Sequence, residues 1–411
     1  MRRNIRLHCA NPVALRSLVG RIGLTALMAS AIALPASVQA DPIYTGSTVL
    51  TDLLNPRGLT VDSSGRILVS EAGSGGSDCS VPPAPPIPPI PTNRCWGQTG
   101  AVVRYDPVSN TPSRPWSLLD SIAKSSDPAN LSPVAGLMDL TTTSDGRLLG
   151  VFGYRGDPGT RPPTSTQFAK LVEFKETGMG GATVDVLADL GSYETANPSH
   201  MPPFSNPFAL VWKDGVSYIT DAGANRLLKV SDGSTLVEKL EDFPLTTTTP
   251  PAEAVPTGLA VSPGGTLYNT QLPGAPFAPG TASIFASTGM ADTASPIAGG
   301  FTNVMDLSLG ADGWLYLVQY AEDFTNNPVG TGSLRRYNPM TMERQVLAQG
   351  IDRPTGVLAL PDGTVYVATG GSTTSGALVR YTPGPLPIAG ALLAWRQARG
   401  LRRRVKGQRL A

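Results

Sequence analysis

The sequence predicts an all-β fold: one six-bladed β-propeller with four-stranded blades. Three observations carry that expectation. One phrase recurs six times, roughly Pro/Asn-x-Gly-Leu-x-Val followed by a turn ending in Gly and a short apolar run, with copies beginning at Asn55, Val134, Asn206, Val255, Phe301 and Arg353. The turn glycines, Gly65, Gly146, Gly215, Gly265, Gly313 and Gly363, are spaced by 81, 69, 50, 48 and 50 residues. A repeat near 50 residues built of short strands is the mark of a propeller blade. The 411 residues include 45 Gly and 39 Pro but only 15% charged residues, and 41% are hydrophobic. That composition is rich in turns and sufficient for a core, and no long stretch outside the two ends has helical periodicity.

Taken from the N-terminus, residues 1–40 read as a secretory signal. Arg2, Arg3 and Arg6 form a basic start, Ile22 to Leu34 is an apolar run, and Val38-Gln39-Ala40 places small residues at the cleavage positions. Signal peptidase would then release a chain starting at Asp41. The run of 13 residues is shorter than the roughly 20 a membrane span needs.

Residues 41–384 are the expected propeller. Thr48–Leu53 is an orphan strand that resembles the fourth strand of later blades, whereas the last repeat stops after its third strand, at Tyr381. The N-terminal strand is therefore expected to complete the last blade, and such closure removes exposed sheet edges. Within each repeat the Gly-Leu-x-Val run is the first strand and the run after the Gly turn the second. Phrases at 101–106, 169–173, 226–230, 333–337 and 377–381 supply third strands; 184–190 and 345–348 supply fourth strands. Blades two, three, five and six carry Asp-Gly at the first turn, the dipeptide favoured where both central residues need positive φ.

The long connections fall at 72–99, 153–167, 272–281 and 320–331, between second and third strands, and at 120–133, 191–205 and 243–254, between blades. Both kinds open on the same face. One mouth of long loops is the expected binding face, the alternative being tolerated drift at exposed tips. Cys9 leaves with the signal, so Cys79 and Cys95 remain, flanking SVPPAPPIPPIPTNR. In an exported chain they are expected to form a disulfide, worth on the order of 3 kcal/mol for a loop of this size.

Charge is distributed unevenly. Residues 1–40 and 385–411 contain no Asp or Glu, leaving 41–384 with 20 basic and 31 acidic residues. An acidic globule does not suit nucleic acid, whose affinity rests on neutralised phosphates. It suits a cation or cationic partner, or simply serves solubility.

Two aligned positions gather polar residues. Where the first copy has Gly58, the others have Asp139, Ala209, Gly258, Asp306 and Gly356. At the end of the second strand stand Glu71, Phe152, Asp221, Gln271, Gln319 and Thr369. Glu71, Asp139, Asp221 and Asp306 are expected to meet at the long-loop mouth as a candidate site for Ca²⁺ or another divalent cation, whose preferred ligands are carboxylate and amide oxygens. Gln271, Gln319, Phe152 and His200 would line the same ligand mouth. The competing expectation is that these Asp residues cap turn amides, Asp221-Ala-Gly-Ala-Asn225-Arg226 above all. His200, in NPSHMPPFSNPF, is the one histidine of the mature chain. It is an ordinary mouth residue or, were an activity present, the first general base to test. No Gly-x-Ser-x-Gly elbow, phosphate loop or dinucleotide fingerprint is present, and a multi-histidine metal site is impossible within one chain.

Asp221-Ala-Gly-Ala-Asn225-Arg226-Leu227 resembles the strand phrase of NHL-type six-bladed propellers. Most of 45–384 resembles the ScyD/ScyE family of secreted propellers. The resemblance is carried by Asn55-Pro-Arg-Gly-Leu59 with Glu71-Ala-Gly73, Cys79 and Cys95 around a loop, Asp189-Leu-Gly-Ser-Tyr-Glu194, Asn206-Pro-Phe208, Val255-Pro-Thr-Gly258 and Gly300-Phe-Thr-Asn-Val-Met-Asp306. The Pro-rich insert at 81–91 departs from the pattern that carries the resemblance. The resemblance implies an exported six-bladed propeller and little biochemistry. Related folds include metal-dependent lactonases with a Glu, Asn and Asp ligand set; Glu71 matches the Glu, and no Asn partner is evident. At the C-terminus, Pro383-Gly-Pro-Leu-Pro-Ile388, the apolar Ala389–Trp395 and Arg402-Arg403-Arg404 resemble a PEP-CTERM sorting signal. Such a tail, 385–411, implies an exosortase partner and delivery to the periplasm, outer envelope or extracellular space. The rival for the tail is a basic amphipathic segment lying on anionic lipid.

Two functions follow as expectations. One is a binding or accessory propeller of the envelope or matrix that takes a small molecule, glycan or protein. The other is a cation-dependent hydrolase of lactones or esters that uses an acidic mouth.

Overall fold

The computed structural model describes residues 44–82, 93–124, 129–132, 134–177, 181–246, 248–324 and 330–384. The signal and tail segments expected at 1–40 and 385–411, and most of the Pro-rich insert, lie outside them. Six four-stranded antiparallel sheets form a six-bladed propeller.

Blade one is β2 (Pro56–Val61), β3 (Ile67–Glu71), β4 (Cys95–Asp106) and β5 (Thr111–Ala123). Blade two is β6 (Leu137–Thr142), β7 (Leu148–Phe152), β8 (Lys170–Thr177) and β9 (Gly181–Asp189). Blade three is β10 (Pro207–Lys213), β11 (Val216–Asp221), β12 (Arg226–Ser231) and β13 (Val237–Asp242). Blade four is β14 (Pro256–Val261), β15 (Leu267–Gln271), β16 (Ala282–Ser287) and β17 (Ser295–Phe301). Blade five is β18 (Val304–Leu309), β19 (Leu315–Gln319), β20 (Gly332–Tyr337) and β21 (Arg344–Ile351). Blade six joins β22 (Gly356–Ala359), β23 (Val365–Thr369) and β24 (Gly376–Pro383) to β1 (Tyr44–Leu53). The ring therefore closes as the orphan strand predicts, with register running from Tyr44↔Pro383 to Leu53↔Gly376.

The core lies between blades. Second strands are buried along their length, as in Ile67–Glu71, Leu315–Gln319 and Val365–Thr369. Their apolar side chains interlock with the next blade: Leu149, Val151 and Leu171 of blade two meet Leu210, Ile219 and Leu228 of blade three. Val69 and Val103 of blade one meet Tyr366 and Leu378 of blade six. Each such Leu, Ile or Val contributes about 2 kcal/mol by leaving water.

The first turns depart in detail from the sequence expectation. In blades one, two, four, five and six a three-residue loop ends in a left-handed glycine. In blade two, for example, Thr143 N donates to Arg147 O at 2.9 Å, Gly146 N donates to Thr143 O at 3.0 Å, and Gly146 has φ 87°. Only blade three has the two-residue turn with both positions left-handed, Asp214 (φ 48°) and Gly215 (φ 83°), between paired Lys213 and Val216. The glycine is thus the common requirement, and the preceding Asp is free to cap the loop with its side chain. A short helix, α1 (Leu190–Ala196), capped by the Asp189 carboxylate accepting from Ser192 N, sits between blades two and three. Cys79 and Cys95 form a disulfide.

Candidate functional site

Along the channel, the first strands of neighbouring blades come too close for a side chain at every position. A Cβ on Gly58 would overlap the Asp139 carboxylate, and one on Gly356 would overlap Arg57 O. Gly58 therefore makes room for Asp139. Its Oδ1 accepts from Leu140 N at 2.8 Å and its Oδ2 from Leu210 N of blade three at 2.7 Å. Asp306 repeats this three blades on, accepting from Leu307 N at 2.8 Å and from Val357 N of blade six at 2.9 Å. The other four seams use hydroxyls. Ser70 Oγ donates to Met138 O, Thr220 Oγ1 to Thr257 O, Thr257 Oγ1 to Val304 O and Thr355 Oγ1 to Pro56 O, at 2.7–3.2 Å. Every seam of the ring carries at least one such polar staple, and at two of them a carboxylate serves, joined between blades five and six by Ser308 Oγ accepting from Ala359 N at 3.1 Å.

Asp139 and Asp306 are half-buried and line a channel cavity of about 210 Å³. Its other walls include Thr60, Thr141, Trp212, Val261, Ser308 and Leu358. These residues occupy the later halves of the first strands, so the cavity lies towards the short first turns and away from the long loops. This corrects the expected placement of the two Asp residues at the long-loop mouth. Desolvation pushes Asp306 up to about 7. It raises Asp139 well above the usual carboxylate range, and the Asp306 charge adds to the rise. Two carboxylates held in one poorly solvated channel resist ionising together.

The remaining candidates lie elsewhere and have structural partners. Glu71 is 1% exposed; its Oε1 accepts from Leu54 N at 2.8 Å, and Arg114 donates to both carboxylate oxygens at 3.1–3.2 Å. Asp221 is fully buried and caps a turn, accepting from Ser205 Oγ at 2.6 Å and from the N–H groups of Asn206, Gly223 and Ala224 at 2.7–3.0 Å. Phe152 belongs to the core between blades one and two, beside Leu137 and Phe174. Gln271 is buried at the end of β15, and Gln319 accepts from Thr302 N and donates to Glu322. His200 is exposed, with Nδ1 2.9 Å from Ser199 Oγ and its ring 6.0 Å from Phe204. The four carboxylates do not converge, and among the described residues no group of three or more His, Cys, Asp or Glu could hold a metal ion. Glu71 and Asp221 have their oxygens occupied by N–H and O–H donors, so the expected four-carboxylate donor set does not fit a divalent cation.

The long-loop face is instead fixed by polar struts. Arg226 donates to Glu194 at 2.7 Å and to Asp242 at 2.9 Å, tying blade three to α1. Asp120 accepts from Trp96 Nε1 and from the N–H groups of Thr166 and Gln167 at 2.9–3.1 Å, tying blade one to the 153–167 loop. Three arginines that sequence reasoning overlooks also stand on this face. Arg57 is 6% exposed and Arg94 1%, and Arg155 follows the end of β7. A signal for the first exists. The residue preceding the channel position is Met138, Phe208, Thr257, Met305 or Thr355 in the other copies, and only blade one has Arg there.

No protein-family model and no curated protein matches the chain. Solved structures do resemble it. A soluble aldose sugar dehydrogenase from Escherichia coli, in its apo form, is 12% identical with a TM-score of 0.50, over 83% of this chain and 100% of that one. The calcium-binding protein regucalcin from Agrobacterium tumefaciens is 13% identical with a TM-score of 0.47, over 84% and 97%. A chain of a nidogen–laminin complex is 16% identical with a TM-score of 0.42, over 67% and 84%. At these identities the likeness concerns the fold alone.

Proposed function

We propose that the protein is an exported propeller of the ScyD/ScyE type. In this reading it is a binding or accessory protein of the cell envelope or extracellular matrix, and its long-loop face takes a small organic molecule, a glycan or a protein. The observation that carries the reading is the fate of the two acidic residues at the ends of second strands: Glu71 and Asp221 brace the loops in place of facing a substrate. Rigidly braced loops on one face of a repeat array are what a recognition surface requires. The signal-like residues 1–40, the PEP-CTERM-like tail and the Cys79–Cys95 disulfide support passage through signal peptidase and an exosortase into an oxidising compartment. Mass spectrometry of the protein recovered from cell fractions tests export. The expected species begins at Asp41 and lacks Ala411, and an intact cytoplasmic chain would count against it.

One observation favours the second reading, a cation-dependent lactonase or esterase: Asp139 and Asp306 share a solvent-reachable cavity in the channel. A lactone and ester screen with Ca²⁺, Mg²⁺ or Mn²⁺ separates the two. Cation-dependent turnover that is lost in Asp306→Asn and retained in Glu71→Gln would establish the hydrolase. Absence of turnover under all three cations leaves the binding reading.

A further inference from the structure

Overall the propeller is acidic, yet its long-loop face carries three arginines, Arg57, Arg94 and Arg155, near one another. Arg57 lies at the start of the first inner strand. Its Nη2 reaches Ser372 Oγ at 3.3 Å, while its buried Nε has no hydrogen-bond partner. Arg155 stands in the 153–167 loop, and its guanidinium has no hydrogen bond or ion pair among the described residues. The charges of Arg94 and Arg57 both bear on it, and burial together with that repulsion lowers Arg155 to about 10; burial lowers Arg57 to about 10 as well.

Arg94 has a different part. It donates to Tyr154 O and Arg155 O at 2.8 Å and to Pro82 O at 3.3 Å, and it lies 5.0 Å over the Tyr154 ring. A Cβ on Gly156 would meet its Nη2 at 2.6 Å. Arg94 therefore pins the segment that presents Arg155. Nearby Arg353 shows what a balanced arginine looks like on this face, since its Nε donates to Asp352 at 3.0 Å. Arg57, Arg94 and Arg155 have no such carboxylate among the described residues.

Two cations held out of water, Arg57 with an orphaned Nε and Arg94, beside a half-buried third, Arg155, are unfavourable unless a negative group neutralises them. The guanidinium fork matches carboxylate and phosphate geometry. The hydroxyl of Ser372, and that of Tyr320 within reach of Arg57's charge, offer further polar contacts.

We propose that the long-loop mouth binds an oxyanion, the carboxylate or phosphate group of a small ligand, between Arg57 and Arg155. This deepens the binding reading and rests on it by naming the chemistry of the ligand. It also reverses the sign expected from the sequence: the mouth takes an anion.

The test uses the purified protein dialysed into chloride buffer, titrated calorimetrically at constant ionic strength with inorganic phosphate and, separately, with succinate. Binding of one or both at a single site with a sub-millimolar Kd is expected, and the stronger arm distinguishes phosphate from carboxylate. Arg57→Met and Arg155→Met should each weaken that binding at least tenfold. In oxyanion-free buffer both should melt no lower than the wild type, because Arg57→Met removes a buried charge without a carboxylate partner and Arg155→Met a half-buried one. Arg155→Met keeps the test open should Arg57→Met not fold, since Arg155 makes no side-chain hydrogen bond that its loss would break. Failure of both anions to bind, wild-type affinity in both variants, or variants that melt well below the wild type without oxyanion would each overturn the site. If export is confirmed and another ligand binds this face while phosphate and succinate do not, the anion site fails alone and the binding reading stands.

Discussion

Raising the pH from 5 to 7.5 should destabilise this protein, and the two channel aspartates are the reason. Asp306 is pushed up to about 7 in the folded chain, from an ordinary 3.8. Asp139 is raised as well, by burial and by the Asp306 charge. Between about pH 4 and 7 the folded state holds protons that the unfolded state has released, so the contribution of these aspartates is fully present below pH 4 and is lost as pH climbs towards 7. A shift of about three units corresponds to a ceiling of about 4 kcal/mol for Asp306. Water reaching the cavity reduces this, so on the order of 2 kcal/mol should be lost across the window. Asp221, raised by burial, adds to the fall. The acids whose values are lowered, Asp78, Asp106, Asp145, Asp189 and Asp242, titrate below this range and do not mask it. Urea unfolding at fixed ionic strength measures the slope. The double variant Asp139→Asn/Asp306→Asn mimics the protonated pair and should lose less than half as much as the wild type between pH 5 and 7.5. A wild type whose stability is flat or rising over that window, or a double variant that keeps the full slope, would show that the channel aspartates do not hold these protons.

Two further perturbations probe the ring itself. Gly58→Ala drives a methyl into the Asp139 carboxylate and Gly356→Ala drives one into Arg57 O; each should cost more than about 2 kcal/mol by forcing two inner strands apart, whereas Gly65→Ala, with open space around its Cβ, should cost about 1 kcal/mol for its left-handed backbone. Similar losses at all three positions would contradict the packing account. Removing residues 44–53 should expose the edge of β24 and give an unfolded or oligomeric chain by light scattering; a monomer with unchanged melting would contradict closure.

The fold was legible because repetition multiplies a weak signal. A single Gly-Leu-x-Val run means little, but six of them spaced like blades leave few alternatives, and the orphan strand before Leu53 had only one unfinished sheet to join. The candidate site was less legible. Alignment of the repeats placed Asp139 and Asp306 correctly as channel residues, but it could not tell which end of the channel their side chains serve. The backbone N–H groups of Leu210 and Val357 that hold them come from other blades. Asp221 follows the turn-capping expectation raised by its own phrase. Glu71 could not be read at all without Arg114, which arrives from β5, 43 positions later. Net charge averages over the propeller, whereas Arg57, Arg94 and Arg155 come near one another only when the blades close. The readable trace was Arg57 standing where the other copies have Met, Phe or Thr.

The proposed oxyanion would sit between Arg57 and Arg155 on the long-loop face. Crystals grown with selenate, an oxyanion with a strong anomalous signal, test it most directly. The account predicts an anomalous peak within hydrogen-bonding distance of Arg57 Nε and the Arg155 guanidinium, absent in Arg155→Met. Selenate bound only at other surface arginines, with none between Arg57 and Arg155, would contradict it.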